Sequence, residues 1–242
     1  MAKLLTVNVP TSSSPKLVDP IYELKTKGYT VLPEVFTGKL LSKLIRKNES
    51  YWKGFKSSKL YQRNYGSIRR RSKFRGSTVM FLTSGRYDLA LDHGIFQSRK
   101  FLENKKVLTI VNSLFKTGYT SYAGSVPSQP GSLDGYWHRD VWSLFNDSKL
   151  EGTLPIFYIT VLIPLVDLTK ENGPVEIKIG SQRETEGRET VTTSGAKAGD
   201  AIILHGNVLH RGLSNNSRKI RHMIYVVYCS RWYYEYEEYE KV

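Results

Sequence analysis

Apolar spacing divides the chain into a helical front and a strand-rich remainder. Asp19-Pro20 opens a helix, with Asp19 as its cap and Pro20 in the first turn, and Gly28 closes it. Tyr29 to Pro33 reads as a short strand. Thr37 caps a second helix, in which Leu40, Leu41, Leu44 and Ile45 recur at helical spacing and form one apolar face. Gly94 to Asn104 reads as helical and Val107-Leu108-Thr109-Ile110-Val111 as a buried strand. Further strands are expected at Gly118 to Ala123, Ile156 to Pro164, Val175 to Ile179 and Ala201 to His205, and Ile156 to Pro164 has the strongest signal. Pro127, Pro130, Gly131 and Gly135 punctuate a long loop between the first and second of these blocks. From Arg221 to Arg231 the chain alternates. Arg221, Met223, Tyr225, Val227 and Cys229 share one face, and His222, Ile224, Val226 and Tyr228 the other. The pattern is mostly β with flanking helices and points to a double-sheet jelly roll.

Composition narrows this picture. The 242 residues suit one domain with a sizeable core, and 40% hydrophobic and 12% aromatic residues suit a folded, β-rich chain. Residues 1–15, polar and Ser-rich, read as a loose arm, and 16–242 as a single domain. Cys229, the one cysteine, excludes an internal disulfide and any cysteine-based zinc site. The first residues lack the apolar core of a signal peptide. The longest apolar run, Leu154 to Leu168, is interrupted by Pro164 and Asp167 and is too short for a bilayer. A soluble, cytoplasmic protein without a membrane partner is expected.

The formal charge of +14 makes polyanions or anionic small molecules conceivable partners, although charge alone names none. The cations concentrate between Lys53 and Arg86, above all in Arg69-Arg70-Arg71-Ser72-Lys73-Phe74-Arg75. A solvated loop is the expected form of this run; were it to bind a ligand, it would do so as a lid over a site.

Chemistry enters at Tyr136-Trp137-His138-Arg139-Asp140. Side chains two apart on a strand share a face, so His138 and Asp140 present an imidazole and a carboxylate to one space. A second histidine from another strand completes two nitrogens and one oxygen, a set suited to non-haem Fe(II) with open positions. His210, beyond the Ala201 strand, is available for this role, and Arg221 follows it by eleven positions.

These segments, in this order, resemble the phytanoyl-CoA dioxygenase family of Fe(II)- and 2-oxoglutarate-dependent oxygenases. The match rests on Trp137-His138-Arg139-Asp140, on Glu171-Asn172-Gly173-Pro174 with Ile179-Gly180-Ser181, on Gly199-Asp200 before His210-Arg211-Gly212, and on Arg221. It covers roughly residues 20–232, including the Gly28-to-Leu32 entry. The resemblance implies a double-stranded β-helix (jelly roll, cupin-like). It implies iron held by His138, Asp140 and His210, with Arg221 gripping the far carboxylate of the 2-oxoglutarate cosubstrate. Thr160 and Tyr158, on the strand after the metal motif, are candidates to assist cosubstrate binding. His205 competes with His210, and Arg218 with Arg221. His205 lies within an apolar strand and Arg218 in the polar turn that begins at Ser214, so His210 and Arg221 are preferred. Gln182 stands where the family usually has histidine. Gly212 stands where it often has serine, which leaves one cosubstrate contact unassigned. The implied reaction uses oxygen to hydroxylate an unactivated C–H of a small-molecule substrate, including anionic ones, with release of succinate and CO2. An intact Asp140 favours hydroxylation over halogenation. Nucleic acid is a less favoured substrate, and a non-enzymatic binding protein on the same scaffold is the remaining alternative.

Overall fold

The computed structural model describes residues 5–6, 19–64, 70–83, 85–141, 144–145, 150, 153–183 and 189–234. The capped front helix is present as α1 (Pro20–Thr26), with the Asp19 carboxylate accepting from the Ile21 N–H at 2.9 Å. Gly28 follows at φ 84°, a left-handed conformation that turns the chain sharply into β2 (Tyr29–Leu32). The second helix, α2 (Gly38–Lys56), buries Leu44, Asn48, Tyr51, Trp52 and Phe55 along one face. Lys39, Lys43, Arg46 and Lys53 lie exposed along the opposite face.

The segment from Lys53 to Arg86 is not a loop. After α2 come α3 (Lys59–Asn64) and three antiparallel strands, β3 (Arg70–Phe74), β4 (Ser77–Thr83) and β5 (Arg86–Ala90). Alternation explains the strand. Phe74 is buried under α2 while Arg71 and Lys73 stay exposed on the other face, and Arg75-Gly76, both at positive φ, make the tight hairpin turn. Arg69 lies outside the described residues.

A second expectation also fails. Val107 to Val111 belongs to helix α5 (Lys105–Leu114), not to a strand. Its β-branched residues fit either period, but Val107, Ile110 and Val111 are buried at helical spacing. Asn104 decides the outcome by capping the helix, its side chain accepting from the Lys106 N–H at 3.0 Å. The preceding helical stretch divides into a 3-10 turn at Gly94–Gln97 and the short α4 (Arg99–Leu102).

The remaining strands are β6 (Tyr119–Ser125), β7 (Tyr158–Pro164), β8 (Val175–Lys178), β9 (Thr190–Thr192), β10 (Ala201–His205), β11 (His210–Gly212) and β12 (Met223–Ser230). Leu5–Thr6 of the arm form β1, which pairs parallel with β9; the rest of residues 1–15 lies outside the described residues. One antiparallel sheet runs β2-β10-β7-β12-β6-β5-β4-β3, and a smaller sheet runs β1-β9-β8-β11.

Two apolar layers hold this arrangement. On the outer face of the large sheet, Ile159, Val161, Ile163, Ile203 and Val226 pack against Leu44, Trp52 and Phe55 of α2 and Val107 and Val111 of α5. On the inner face, Leu162, Ile202, Leu204 and Met223 meet Val175 and Ile177 of the small sheet. The central strand β7 is buried along its whole length because both faces are covered. Every residue of such a strand is expected to be apolar, so the inward polar Thr160 marks a site. Among the described residues, no helix is long and apolar enough to cross a membrane.

Candidate metal centre

His138 and His210 meet across a narrow antiparallel bridge, each donating its backbone N–H to the other's carbonyl at 3.1 and 3.0 Å. This places their rings 4.3 Å apart, centroid to centroid. Asp140, two residues on, is held by its backbone N–H to the Gly206 carbonyl at 2.9 Å. Its Oδ1 lies 3.5 Å from His210 Nε2 and 3.8 Å from His138 Nε2. One donor atom from each of the three residues falls within 4.8 Å of the others.

Hydrogen bonds orient all three groups. His138 Nδ1 lies 3.0 Å from the Tyr136 carbonyl and His210 Nδ1 3.1 Å from the Val208 carbonyl. A carbonyl only accepts, so each Nδ1 carries the proton and each Nε2 keeps a free lone pair aimed at the common centre. Thr160 Oγ1 donates to Asp140 Oδ2 at 2.5 Å, leaving Oδ1 to face the imidazoles. Burial lowers the His210 pKa against the raising effect of Asp140, which also favours the neutral, ligating ring. The side chains grade from shut in to open: His210 is 8% exposed, Asp140 17% and His138 53%. Two neutral imidazoles and a carboxylate, each fixed from behind, fit a divalent transition metal with one side left open.

The expected neighbours fall into two groups. Tyr158 and Thr160 point inward from β7, but their hydroxyls are committed to Tyr122 Oη, at 2.7 Å, and to Asp140. Arg221 lies on the inner side, is 2% exposed, and donates from Nη1 to the Val126 carbonyl at 3.0 Å. Its buried Nε has no partner. Burial, and then the charge of Arg86, lower its pKa to about 9.

Arg86 is the residue that sequence reasoning missed. Carried on β5 and 7% exposed, it donates from Nε to the Leu133 carbonyl at 3.0 Å and from Nη2 to the Leu213 carbonyl. Its pKa falls to about 10 through burial, partly offset by Asp134. Buried charges are ordinarily paired with an opposite charge, and these two guanidiniums are close enough to repel. Together they bring two buried cations into one neighbourhood. A Cβ on Gly212 would come within 2.5 Å of Arg86 Nη1, so the glycine makes room for the second arginine. The sequence carries one sign of this, the glycine at a position where serine is usual.

The rival residues lie elsewhere. His205 accepts from the Asn207 N–H at Nδ1, and burial lowers its pKa to about 4, aided by Arg139 and Arg183. Arg218 is exposed. Gln182 donates from Nε2 to the Lys25 carbonyl and packs against Gly28. Trp137 is packed between the cations of Lys178 and Arg211, 4.8 and 4.7 Å from its ring centre. Trp142 lies outside the described residues.

The family model described as phytanoyl-CoA dioxygenase (PhyH) matches residues 24–223. An Fe(II)/2-oxoglutarate-dependent dioxygenase, nvfF, of Aspergillus novofumigatus (strain IBT 16806) is 33% identical over 106 residues, 41% of this chain and 35% of that protein. The dioxygenase easH of Epichloe festucae var. lolii is 27% identical over 101 residues, 39% of this chain and 53% of that protein. The chain thus spans about a third to a half of the curated relatives it matches. Among solved structures, the non-heme alpha-ketoglutarate-dependent epimerase SnoN from nogalamycin biosynthesis superposes with a TM-score of 0.61 at 15% identity, covering 87% of this chain and 79% of that one. HygX of Streptomyces hygroscopicus, with nickel, 2-oxoglutarate and hygromycin B bound, gives 0.60 at 14%, covering 89% and 88%. These distant likenesses establish the jelly-roll fold. With the family model matching most of its length, the chain belongs to the phytanoyl-CoA dioxygenase family.

Proposed function

We propose that this chain is an Fe(II)- and 2-oxoglutarate-dependent dioxygenase that hydroxylates an unactivated C–H of a small-molecule substrate, releasing succinate and CO2. The observation that carries the reading is the convergence of His138 Nε2, His210 Nε2 and Asp140 Oδ1, with both imidazole tautomers fixed by carbonyls on their own strands. The iron, when bound with cosubstrate, supplies oxygen activation. His138, Asp140 and His210 hold it from one side and leave the other to ligands. Thr160 holds Asp140 in its ligating orientation. Arg221 and Arg86 receive the far carboxylate of the cosubstrate, which gives two buried cations the counter-charge they lack. Tyr158 shapes the inner wall beside Asp140, with its hydroxyl turned to Tyr122.

The relatives nvfF and easH, both dioxygenases, support the dioxygenase assignment. SnoN is an epimerase on a similar fold, so the outcome at carbon rests on the ligands present. An occupied carboxylate position at Asp140 supports hydroxylation. A small molecule is favoured over nucleic acid because the exposed lysines of α2 lie on the outer layer, across the large sheet from the metal centre. The test is oxygen-dependent succinate formation by the iron-loaded protein with 2-oxoglutarate, first alone and then with a metabolite mixture. His138→Ala and Asp140→Ala should abolish it. Turnover that survives both variants removes the assignment.

A further inference from the structure

The aromatic rings beside the metal centre continue to the surface in one direction. Tyr158 adjoins the centre through Gly206, whose N–H donates to the Tyr158 carbonyl and whose carbonyl accepts from Asp140, each at 2.9 Å. The Tyr158 ring is also close enough that a Cβ on Gly206 would touch its Cδ1 at 3.0 Å. From Tyr158, Tyr233 is 5.9 Å away between ring centroids, and Trp232 a further 6.3 Å, both edge-on. Phe157 packs against Tyr233 and Trp232 at 5.1 and 5.3 Å. Tyr158 is 3% exposed and Trp232 56%, so the series runs from the interior to water.

We propose that Tyr158, Tyr233 and Trp232 form a one-electron relay that carries reducing equivalents from the surface to the metal centre when oxygen is activated there without substrate. The inference rests on the oxygenase reading above. Phenol and indole side chains give up one electron more readily than aliphatic, amide and hydroxyl groups; the other oxidisable group of this cluster, the Cys229 thiol opposite Tyr158, is bonded to Thr120 at 3.0 Å. Oxidation of a phenol also releases a proton, and a buried tyrosine therefore needs an acceptor. The Tyr158 and Tyr122 hydroxyls share a hydrogen bond, oxygen to oxygen at 2.7 Å, and the half-buried Tyr122 links that bond to water.

The steps balance. Tyr158 gives one electron to a strong one-electron oxidant at the metal centre; its proton moves to the Tyr122 oxygen as the half-buried Tyr122 releases its own proton to water. Tyr233 gives one electron to the Tyr158 phenoxyl, which takes a proton from Tyr122 as Tyr122 regains one from water, while the Tyr233 proton passes to water. Trp232 then restores Tyr233, which regains a proton from water as Trp232 loses its indole proton. A reductant of the ascorbate or thiol class supplies one electron and one proton to Trp232. In sum, one electron passes from reductant to oxidant and one proton enters water.

The deciding experiment uses the full chain without metal. Flash oxidation by a ruthenium polypyridyl photo-oxidant with persulfate, in the presence of ascorbate, is followed by transient absorption and electron paramagnetic resonance. In the wild type a tryptophanyl signal should give way to a tyrosyl signal that ascorbate quenches slowly, because Tyr158 is buried. Tyr158→Phe should remove that slow signal, and the double variant Trp232→Phe/Tyr233→Phe should cut its yield several-fold. All variants keep an aromatic ring in place, and matched melting temperatures check their folding. A slow tyrosyl signal of unchanged yield in either variant overturns the relay. A second arm loads iron and 2-oxoglutarate under oxygen without substrate and maps oxidised peptides. The double variant should accumulate oxidised Tyr158, Tyr122 or Val141 faster than the wild type. A wild type that forms no succinate refutes the oxygenase reading, and the metal-free arm still decides the relay.

Discussion

Arg86 and Gly212 share one small volume, because the guanidinium of the first stands where a side chain on the second would be. The consequence is a second buried cation close to Arg221. Arg86→Met keeps the length of the side chain and removes its charge. It should raise the Kd for 2-oxoglutarate about tenfold, a loss of ~1.4 kcal/mol, as measured by calorimetry on the metal-loaded protein. Gly212→Ala should have a similar effect, since its methyl group displaces the same guanidinium.

Without cosubstrate, the two buried cations cost stability. Arg221→Met should therefore stabilise the ligand-free protein by roughly 1–4 kcal/mol, while abolishing its stabilisation by 2-oxoglutarate. Denaturant titrations with and without the ketoacid separate the two effects. The pH dependence has a definite sign. Folded pKa values of about 9 and about 10 lie below the ordinary 12.5, so the unfolded chain binds more protons in this interval. The penalty is full below about pH 9 and is relieved as pH rises towards the unfolded value. The difference in stability between wild type and Arg221→Met should shrink in that direction.

Thr160→Val removes the hydroxyl bonded to Asp140 Oδ2 at nearly constant volume. Iron affinity should fall about 10–100-fold, measured by competition with a chelator. An unchanged affinity would show that Asp140 needs no support from β7.

His205 and His222 are both held neutral, with pKa values of about 4 against an ordinary 6.5, burial being the main cause in each. His222 Nδ1 accepts from the side-chain amide of Asn48 at 3.1 Å, joining α2 to the start of β12. Between these pH values the unfolded chain takes up protons that the folded chain refuses. Stability is therefore greatest above pH 6.5 and falls as pH drops towards 4, by up to ~1.4 kcal/mol per unit for each histidine. His222→Gln should remove one of the two contributions, seen as a shallower loss between about pH 6.5 and about pH 4.5 in urea titrations.

Sequence patterning reached the parts of the molecule whose period is unambiguous. The apolar run of β7, the alternation of β12 and the capped α1 are where spacing placed them. The two-residue spacing of His138 and Asp140 was legible, although the structure holds them on an isolated bridge and a bend and not in a strand, and His210 was reached through the family resemblance. Val107 to Val111 misled because five residues, four of them apolar and four β-branched, fit a strand and a helix equally, and a cap outside the run chose between them. The arginine-rich run misled because its charge masked an alternation in which Phe74 supplies the buried half. Arg86 was invisible for a different reason. Its role depends on Arg221 and Gly212, more than a hundred positions away, and nothing local to β5 marks it.

The triad is unevenly enclosed, His210 deep between the sheets and His138 half in water. On the proposed assignment, ion entry and departure should be directional, with His210 and Asp140 as the fixed jaw and His138 the first ligand to let go. Loading and chelator extraction should then both proceed from the His138 side, with rates set by how tightly the Tyr136 carbonyl restrains the His138 ring.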